Sequence, residues 1–321
     1  MDGLPWPPPQ SFRKNAPETW PRHTGEVESF SRRRTSFKNN DEKFSMNMRH
    51  DRNSMSPLAV GCSIKANAGL IIELIKRDII GRYRGSFMGL LWSFFNPVLM
   101  LLVYTFVFGI IFKSRWPGGT GSTSEYALVL FSGLIIFNFF SECIAKAPGL
   151  ITGNTGYVKK IIFPLEILPV VAIGAAFFHF CISFAVWLLF YMVFFGWPPM
   201  TLLWLPIVIL PLLFIILGLS WFLSSLGVYL RDVSHVMGIV LMVMMFMTPI
   251  FYSLSALPEK YRTILKINPL ATLVEQAQNV MIWGRGIDWS AWGLVTVISV
   301  VIAYLGFAWF QKTRSGFSDV L

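Results

Sequence analysis

The chain has 321 residues, of which 54% are hydrophobic and only 14% charged, and its formal net charge is +10. A soluble domain carries roughly 25% charged residues, so this composition excludes an ordinary soluble enzyme and points to an all-α polytopic membrane protein. The Lys and Arg lie mainly before the first apolar run and at the edges of the later ones, where they orient a chain in the bilayer, and they give no reason to expect nucleic acid as a partner.

Residues 1–60 read as a disordered basic tail, rich in Pro, Arg, Ser and Asn and without apolar periodicity. Arg32-Arg33-Arg34 can touch anionic lipid, although a plain solvated tail is the simpler reading. The abrupt change of composition also makes Met46, Met48 and Met55 alternative starts. Met1 to Gln10 lacks the apolar core of a signal peptide.

Residues 65–85 read as an amphipathic helix lying in the membrane interface. Ile71, Leu74, Ile75, Ile79 and Tyr83 share one side, and Glu73, Lys76, Arg77 and Arg84 the other. Ile80 falls on the polar side. Asp78 and Arg82 fall on the apolar side, four apart, where they can pair across one turn. Arg77, Arg82 and Arg84 offer guanidinium forks shaped for phosphate; a simple interfacial anchor is the equally plain alternative.

Residues 86–321 hold six apolar stretches, Leu90–Phe112, Ala127–Ala147, Leu165–Phe195, Leu202–Tyr229, Val233–Leu254 and Trp289–Phe310. Each reaches the roughly 20 residues that a membrane-spanning helix needs. The third is longer than one crossing, and Pro164 and Pro169 place its first turns outside the hydrocarbon or kink it. With the N-terminus inside, the inner segments carry 21 Lys and Arg and the outer ones 6. Both termini are therefore expected on the cytoplasmic side.

Three connections stand out. Residues 151–164 turn from polar to basic and stop at Pro164, with Asn154 or Thr155 able to cap a short helix that could insert into a cytoplasmic partner. Leu230-Arg231-Asp232 is a very short link between two spans. The last outer segment suggests two short helices broken at Pro269, dipping into the membrane and returning.

The spans themselves carry aromatic residues that suit sugar rings, which have apolar faces. Trp92, Phe95, Tyr104 and Phe108 lie in the first span, and Tyr252 near the end of the fifth. Tyr104, Phe108 and Phe112 recur every four residues on one stripe. Ordinary packing and interfacial aromatic belts explain such residues as well.

Catalytic patterns are missing. No phosphate-binding Gly-x-x-x-x-Gly-Lys-Ser/Thr loop occurs, so no ATP is expected on this chain by that motif, and no Ser/His/Asp set has recognisable spacing. Cys62, Cys143 and Cys181 have no metal-ligand spacing, and no cofactor or metal site is expected. His179 and His235 read as helix-packing residues. Glu142 and Glu166 lie near span ends, away from where ion-coupled transporters keep their carboxylates.

Six motifs in register resemble one family. They are Arg77-Asp78 through Trp92 with Asn96-Pro97, Phe139-Phe140-Ser141-Glu142, Val158 through Pro169, Gly227 through Asp232, Thr248 through Tyr252, and Asn268-Pro269-Leu270. Over residues 65–315 the chain resembles the membrane subunit of bacterial ABC-2 type exporters, in the branch that moves lipid-linked polysaccharide such as O-antigen, capsule or teichoic acid. The resemblance implies a homodimer of six-span subunits in the bacterial inner membrane, bound to two copies of a separate ABC ATPase that hydrolyses ATP. It implies ATPase coupling at Tyr157, Lys159, Lys160, Arg231 and Asp232. It implies an entrance for a lipid-diphosphate headgroup framed by the amphipathic helix, and outer gate helices at 256–286. Gln276-Ala277-Gln278 departs from the more basic stretch expected there. Two competing readings remain: an ABC-2 exporter of a drug or simple lipid, and a membrane-embedded transferase acting on lipid-linked sugars. The transferase would need a cluster of acidic or His residues at a membrane face, for which Asp78, Asp232 and His235 are scattered candidates.

Overall fold

The computed structural model describes residues 57–113, 115–117, 119, 121–158 and 163–321. The chain divides into two units, Met1–Ser54 and Met55–Leu321, and every described residue belongs to the second. Most of the tail at 1–60, and Lys159 and Lys160, lie outside the described residues.

The described residues form helices and no strand. Helices α1 (Pro57–Ala66) and α2 (Ala68–Tyr83) come first. Then α3 (Trp92–Tyr104) continues as a π-helical stretch, Thr105–Ile111. After α4 (Thr123–Lys146) come two single turns, α5 (Gly149–Thr152) and α6 (Thr155–Val158). Four longer helices follow with two short ones between them: α7 (Ile167–Phe195), α8 (Leu205–Tyr229), α9 (Val233–Phe246), α10 (Glu259–Lys266), α11 (Pro269–Met281) and α12 (Trp289–Thr313), and a last turn α13 (Phe317–Val320) closes the chain.

Among the described residues, five helices are long and apolar enough to cross a membrane: Gly89–Ile111, Thr123–Lys146, Ile167–Phe195, Met200–Tyr229 and Trp289–Gly316. The stretch expected to be the fifth span differs. Helix α9 has 14 residues, about 21 Å at 1.5 Å per residue, short of the roughly 30 Å hydrocarbon layer. The chain leaves helical geometry at Met247, just ahead of Pro249, whose ring disfavours helix in the residue before it. Pro164 precedes α7 and Pro169 sits in its first turn, where the missing N–H costs nothing, so the 29-residue helix starts there without a break.

Local chemistry sets the ends of these helices. The Ser122 hydroxyl accepts from the Glu125 N–H at the start of α4, with Glu125 in its first turn and Lys146 in its last, as the helix dipole favours. Asn268 caps α11, with Pro269 at its first position, and Asp288 caps α12 by accepting from Ser290 and Ala291.

Packing brings α2 onto α7. Ile71 and Leu74 are buried with Ile167 and Val171. A Cβ on Gly174 of α7 would meet the Ile75 Cδ1 at 2.3 Å, so the glycine lets α2 approach. Ile79 and Tyr83 are half-buried on the same side, while Glu73, Lys76, Arg77 and Arg84 are exposed, as the helical pattern predicts. Helices α8 and α12 come closer still. A Cβ on Gly306 would lie 2.0 Å from the Gly218 carbonyl oxygen. Small residues at such crossings let backbones touch where hydrophobicity gives no drive.

Polar side chains then fasten the two ends of the bundle. At one end the Glu166 carboxylate receives Arg314 at 2.8 Å and the Ser63 hydroxyl at 3.0 Å, and its backbone carbonyl accepts from the Trp221 indole at 3.1 Å. That joins α1, the start of α7, α8 and the end of α12. At the other end α10 and α11 are the two short helices foreseen around Pro269. Here Gln276 exchanges two hydrogen bonds with the Asp288 backbone, at 3.0 and 3.2 Å. Gln278 reaches the carbonyls of Val129 and Pro249. The buried glutamines of α11 thus satisfy backbone groups of Asp288, Val129 and Pro249 that meet the helix inside the subunit.

A charged pocket beneath helix α2

Two charged residues on the exposed flank of α2 face α4, and α4 meets them with two of its own. Asp78 and Arg82 lie four apart on α2, and Glu142 and Lys146 lie four apart on α4. Instead of pairing within α2, each bonds across to α4. Arg82 donates to the Glu142 carboxylate, and Lys146 lies 3.3 Å from the Asp78 carboxylate. Lys146 is also 3.4 Å from Glu142, one turn back on its own helix. Two acid–base pairs in the same sequence order, each spaced by one helical turn, meet head to tail, Arg82 with Glu142 and Asp78 with Lys146, and make a ladder between the two helices. The intrahelical pair read from the α2 wheel is corrected by this arrangement. The neighbouring helix offers carboxylate and ammonium groups at matching height, in a half-buried site where a charge is costly to leave alone.

His179 completes the ladder from α7. Its Nδ1 lies 3.0 Å from one Glu142 oxygen, and its Nε2 lies 3.1 Å from the Tyr83 hydroxyl. The Arg82 Nη1 lies 3.2 Å from the same Nδ1, so His179 touches Glu142, Arg82 and Tyr83 together. Burial pushes the Tyr83 hydroxyl above its ordinary pKa, which keeps it a donor. The reading of His179 as a packing residue is therefore corrected: it is the third arm on Glu142. It sits 12 residues into α7, about 18 Å along the axis, deeper than a surface turn.

Beside this network is a cavity of about 800 Å³. Arg77, Asp78 and Arg82 of α2 form one wall, Lys146 and Asn154 another, and the first turns of α7 supply Leu168, Val171 and Ala172. Arg77 bonds to the Tyr157 hydroxyl and lies 5.6 Å over that ring. Tyr157 in turn stacks on Phe163 with centroids 4.3 Å apart. Among the described residues, no carboxylate pairs with Arg77. Arg84 is exposed beyond the end of α2. Of the three arginines singled out in the sequence, two line the cavity and Arg84 does not.

The segment after α4 is more ordered than a plain loop. The Asn154 side chain donates to the Leu150 carbonyl at 2.9 Å instead of capping, and its backbone carbonyl accepts from Tyr157 at 2.8 Å. Arg231 and Asp232 form an exposed turn between α8 and α9, where the Asp232 carbonyl accepts from His235 and Val236.

A second set of residues forms an aromatic ladder. Phe108 lies 6.3 Å from Tyr104 and 5.7 Å from Phe112, centroid to centroid. Tyr126 of α4 and Phe251 join it at 6.2 and 5.6 Å, and Phe246 follows at 5.8 Å from Phe251. The Tyr252 hydroxyl donates to the Phe246 carbonyl at 2.8 Å. Trp92 and Phe95 stay outside this ladder and are exposed near the start of α3.

Glu142, Lys146 and His179 were missed as a unit by the sequence reading. The available signal was the pair of complementary four-residue spacings, 78/82 and 142/146. It becomes informative only when the two helices are known to pack side by side against α7.

Comparison with known proteins agrees with this architecture. The family model described as ABC-2 type transporter matches residues 69–282. An O-antigen export system permease protein RfbA of Myxococcus xanthus is 29% identical over 253 residues, covering 78% of this chain and 95% of that protein. A protein of the same name from Klebsiella pneumoniae is 26% identical over 263 residues, covering 80% and 98%.

Proposed function

This chain belongs to the ABC-2 type transporter family, and on that premise we propose that it is the permease subunit of an ATP-driven exporter of lipid-linked polysaccharide. It is a multi-pass membrane protein and a transport subunit, so the family places ATP hydrolysis on a separate ABC ATPase. The full assembly we infer is two copies of this chain with two ATPase subunits in the bacterial inner membrane, both termini cytoplasmic. In that assembly α2 lies in the interface, and α9 with residues 247–254 completes a sixth crossing. Residues 1–60 form a basic tail.

The observation that carries this reading is the cavity beneath α2, basic on one wall and apolar on the other. A lipid diphosphate has both surfaces: an anionic head for Arg77 and Arg82, and a chain that can lie along Leu168 and Val171. Arg84 steers the head from outside. Tyr157, Lys159, Lys160, Arg231 and Asp232 then form the surface on which the ATPase docks. Tyr104, Phe108, Trp92, Phe95 and Tyr252 line the path of the glycan, and the short helices within 256–286 close its outer end. The export function named for the two relatives supports polysaccharide over a drug or simple lipid.

The test is affinity purification of the tagged chain from its host in mild detergent. A nucleotide-binding ATPase is expected to co-purify, and replacement of Tyr157 to Lys160 is expected to remove it. Depletion of the chain is expected to remove a surface glycan. Purification without any such ATPase would overturn the reading in favour of a membrane transferase, and depletion that spares all surface glycan would move it to a drug or lipid exporter.

A further inference from the structure

We propose that Glu142 is a built-in stand-in for the anionic headgroup: it holds Arg82 and Lys146 when the pocket is empty and yields them to a phosphorylated ligand, releasing α2 from α4. This rests on the entrance reading given above and adds a residue and a role that the reading does not contain.

Three features of the ladder point this way. First, among the described residues the cations around the pocket outnumber the carboxylates. Arg77, Arg82 and Lys146 face Asp78 and Glu142, and Arg77, with no carboxylate paired to it there, bonds to the Tyr157 hydroxyl and lies over its ring. An anion is therefore drawn to Arg77 first, before any existing pair has to open. Second, Lys146 is loosely held. Its contacts to Asp78 and Glu142 are 3.3 and 3.4 Å, longer than the roughly 2.7–2.9 Å of a strong charge-assisted bond. A phosphate oxygen can replace both at little cost. Third, Glu142 is not stranded when Arg82 leaves. His179 stays bonded to it at 3.0 Å, itself supported by Tyr83. An unpartnered buried carboxylate would oppose the exchange strongly, and the histidine removes that obstacle.

The consequence is mechanical. Arg82 and Asp78 are the polar ties between α2 and α4, while Ile71, Leu74 and Ile75 tie α2 to α7. Moving Arg82 and Lys146 onto a ligand loosens one edge of α2 and leaves the other packed. The helix then swings about its α7 contact and widens the pocket mouth. Because Arg77 also holds Tyr157, the same movement reaches the segment proposed to meet the ATPase.

The test measures diphosphate binding to the full chain in phosphatidylcholine nanodiscs, with farnesyl diphosphate and inorganic pyrophosphate as separate probes. Glu142→Gln keeps the shape but withdraws the competing charge, so farnesyl diphosphate should bind about tenfold tighter, the scale of one charge-assisted bond. Asp78→Asn, at an exposed position, frees Lys146 alone and should tighten binding by about threefold, while Lys146→Ala should weaken it about tenfold. A purely structural Glu142 predicts the opposite sign, because its loss would disorder the site. If pyrophosphate follows the same pattern and the farnesyl chain adds nothing, the exchange stands with the free anion as its trigger. If wild type binds farnesyl diphosphate but neither Glu142→Gln nor Asp78→Asn binds it tighter, both eluting as monodisperse protein, the stand-in role is overturned and the entrance survives. If wild type and both variants bind neither probe, the entrance reading fails and the stand-in role with it.

Discussion

Helix α4 and the span Gly89–Ile111 have the same mean hydropathy, 2.0 and 2.1, yet 83% of one window is buried inside the subunit and only 17% of the other. Helix α4 is a central pillar. Phe131, Leu134, Ile135, Phe139 and Phe140 are each about 2% exposed, and α7, α9 and α11 surround it. The first span leans on that pillar along Leu101, Tyr104 and Phe108 and turns Leu99, Val103, Phe106 and Ile110 outward. Equal hydropathy thus serves two opposite tasks. Lipid tails are as apolar as leucine, so burial against protein and exposure to lipid ask for the same residues.

Several substitutions would break or sharpen this contrast. The largest effect is expected at the closest crossing. Gly306→Leu places a side chain onto the Gly218 carbonyl, where neither backbone can retreat, and should leave no folded protein on detergent gel filtration. Next comes the pillar. Phe139→Ala should lower stability by about 3 kcal/mol through the cavity it leaves, whereas Phe106→Ala on the outward face should change it by less than about 0.5 kcal/mol. Thermal unfolding followed by tryptophan fluorescence distinguishes the two, and equal losses would mean that the outward face is packed against something substantial.

The aromatic ladder probes the surface between these extremes. Tyr104→Ala with Phe108→Ala should reduce surface glycan about tenfold, from two stacking contacts of roughly 0.5–1.5 kcal/mol each, with a smaller loss of stability than Phe139→Ala. Unchanged export would remove these residues from the glycan path. The smallest effect is expected at Arg84→Ala, which should alter stability by less than about 0.5 kcal/mol because the side chain is exposed. Any sizeable loss there would show that the end of α2 is held more firmly than its exposure suggests.

The sequence made much of this legible. The faces of α2 followed from the spacing of Ile71, Leu74, Ile75, Ile79 and Tyr83, and the break before α11 followed from Asn268-Pro269. Asp78 and Arg82 were visible as misfits on the apolar side of α2. Their assignment to each other failed because a wheel holds only one helix. Their partners lie 60 and 68 residues away, and only the packing of α2 and α4 against the same helix, α7, brings them within reach. His179 looked inert for the same reason: one imidazole in an apolar run gives no sign of the carboxylate opposite.

Composition, run length and charge asymmetry by themselves determined that this chain is helical and membrane-spanning, with its cations mostly before the first span and at the edges of the others, because a bilayer tests each segment separately for length and polarity. Tertiary structure alone decided which span became the pillar, where glycines let α8 and α12 touch, and how two ordinary charge spacings became one ladder over a cavity. Those outcomes depend on distances between segments far apart in the chain, and no single segment carries that information.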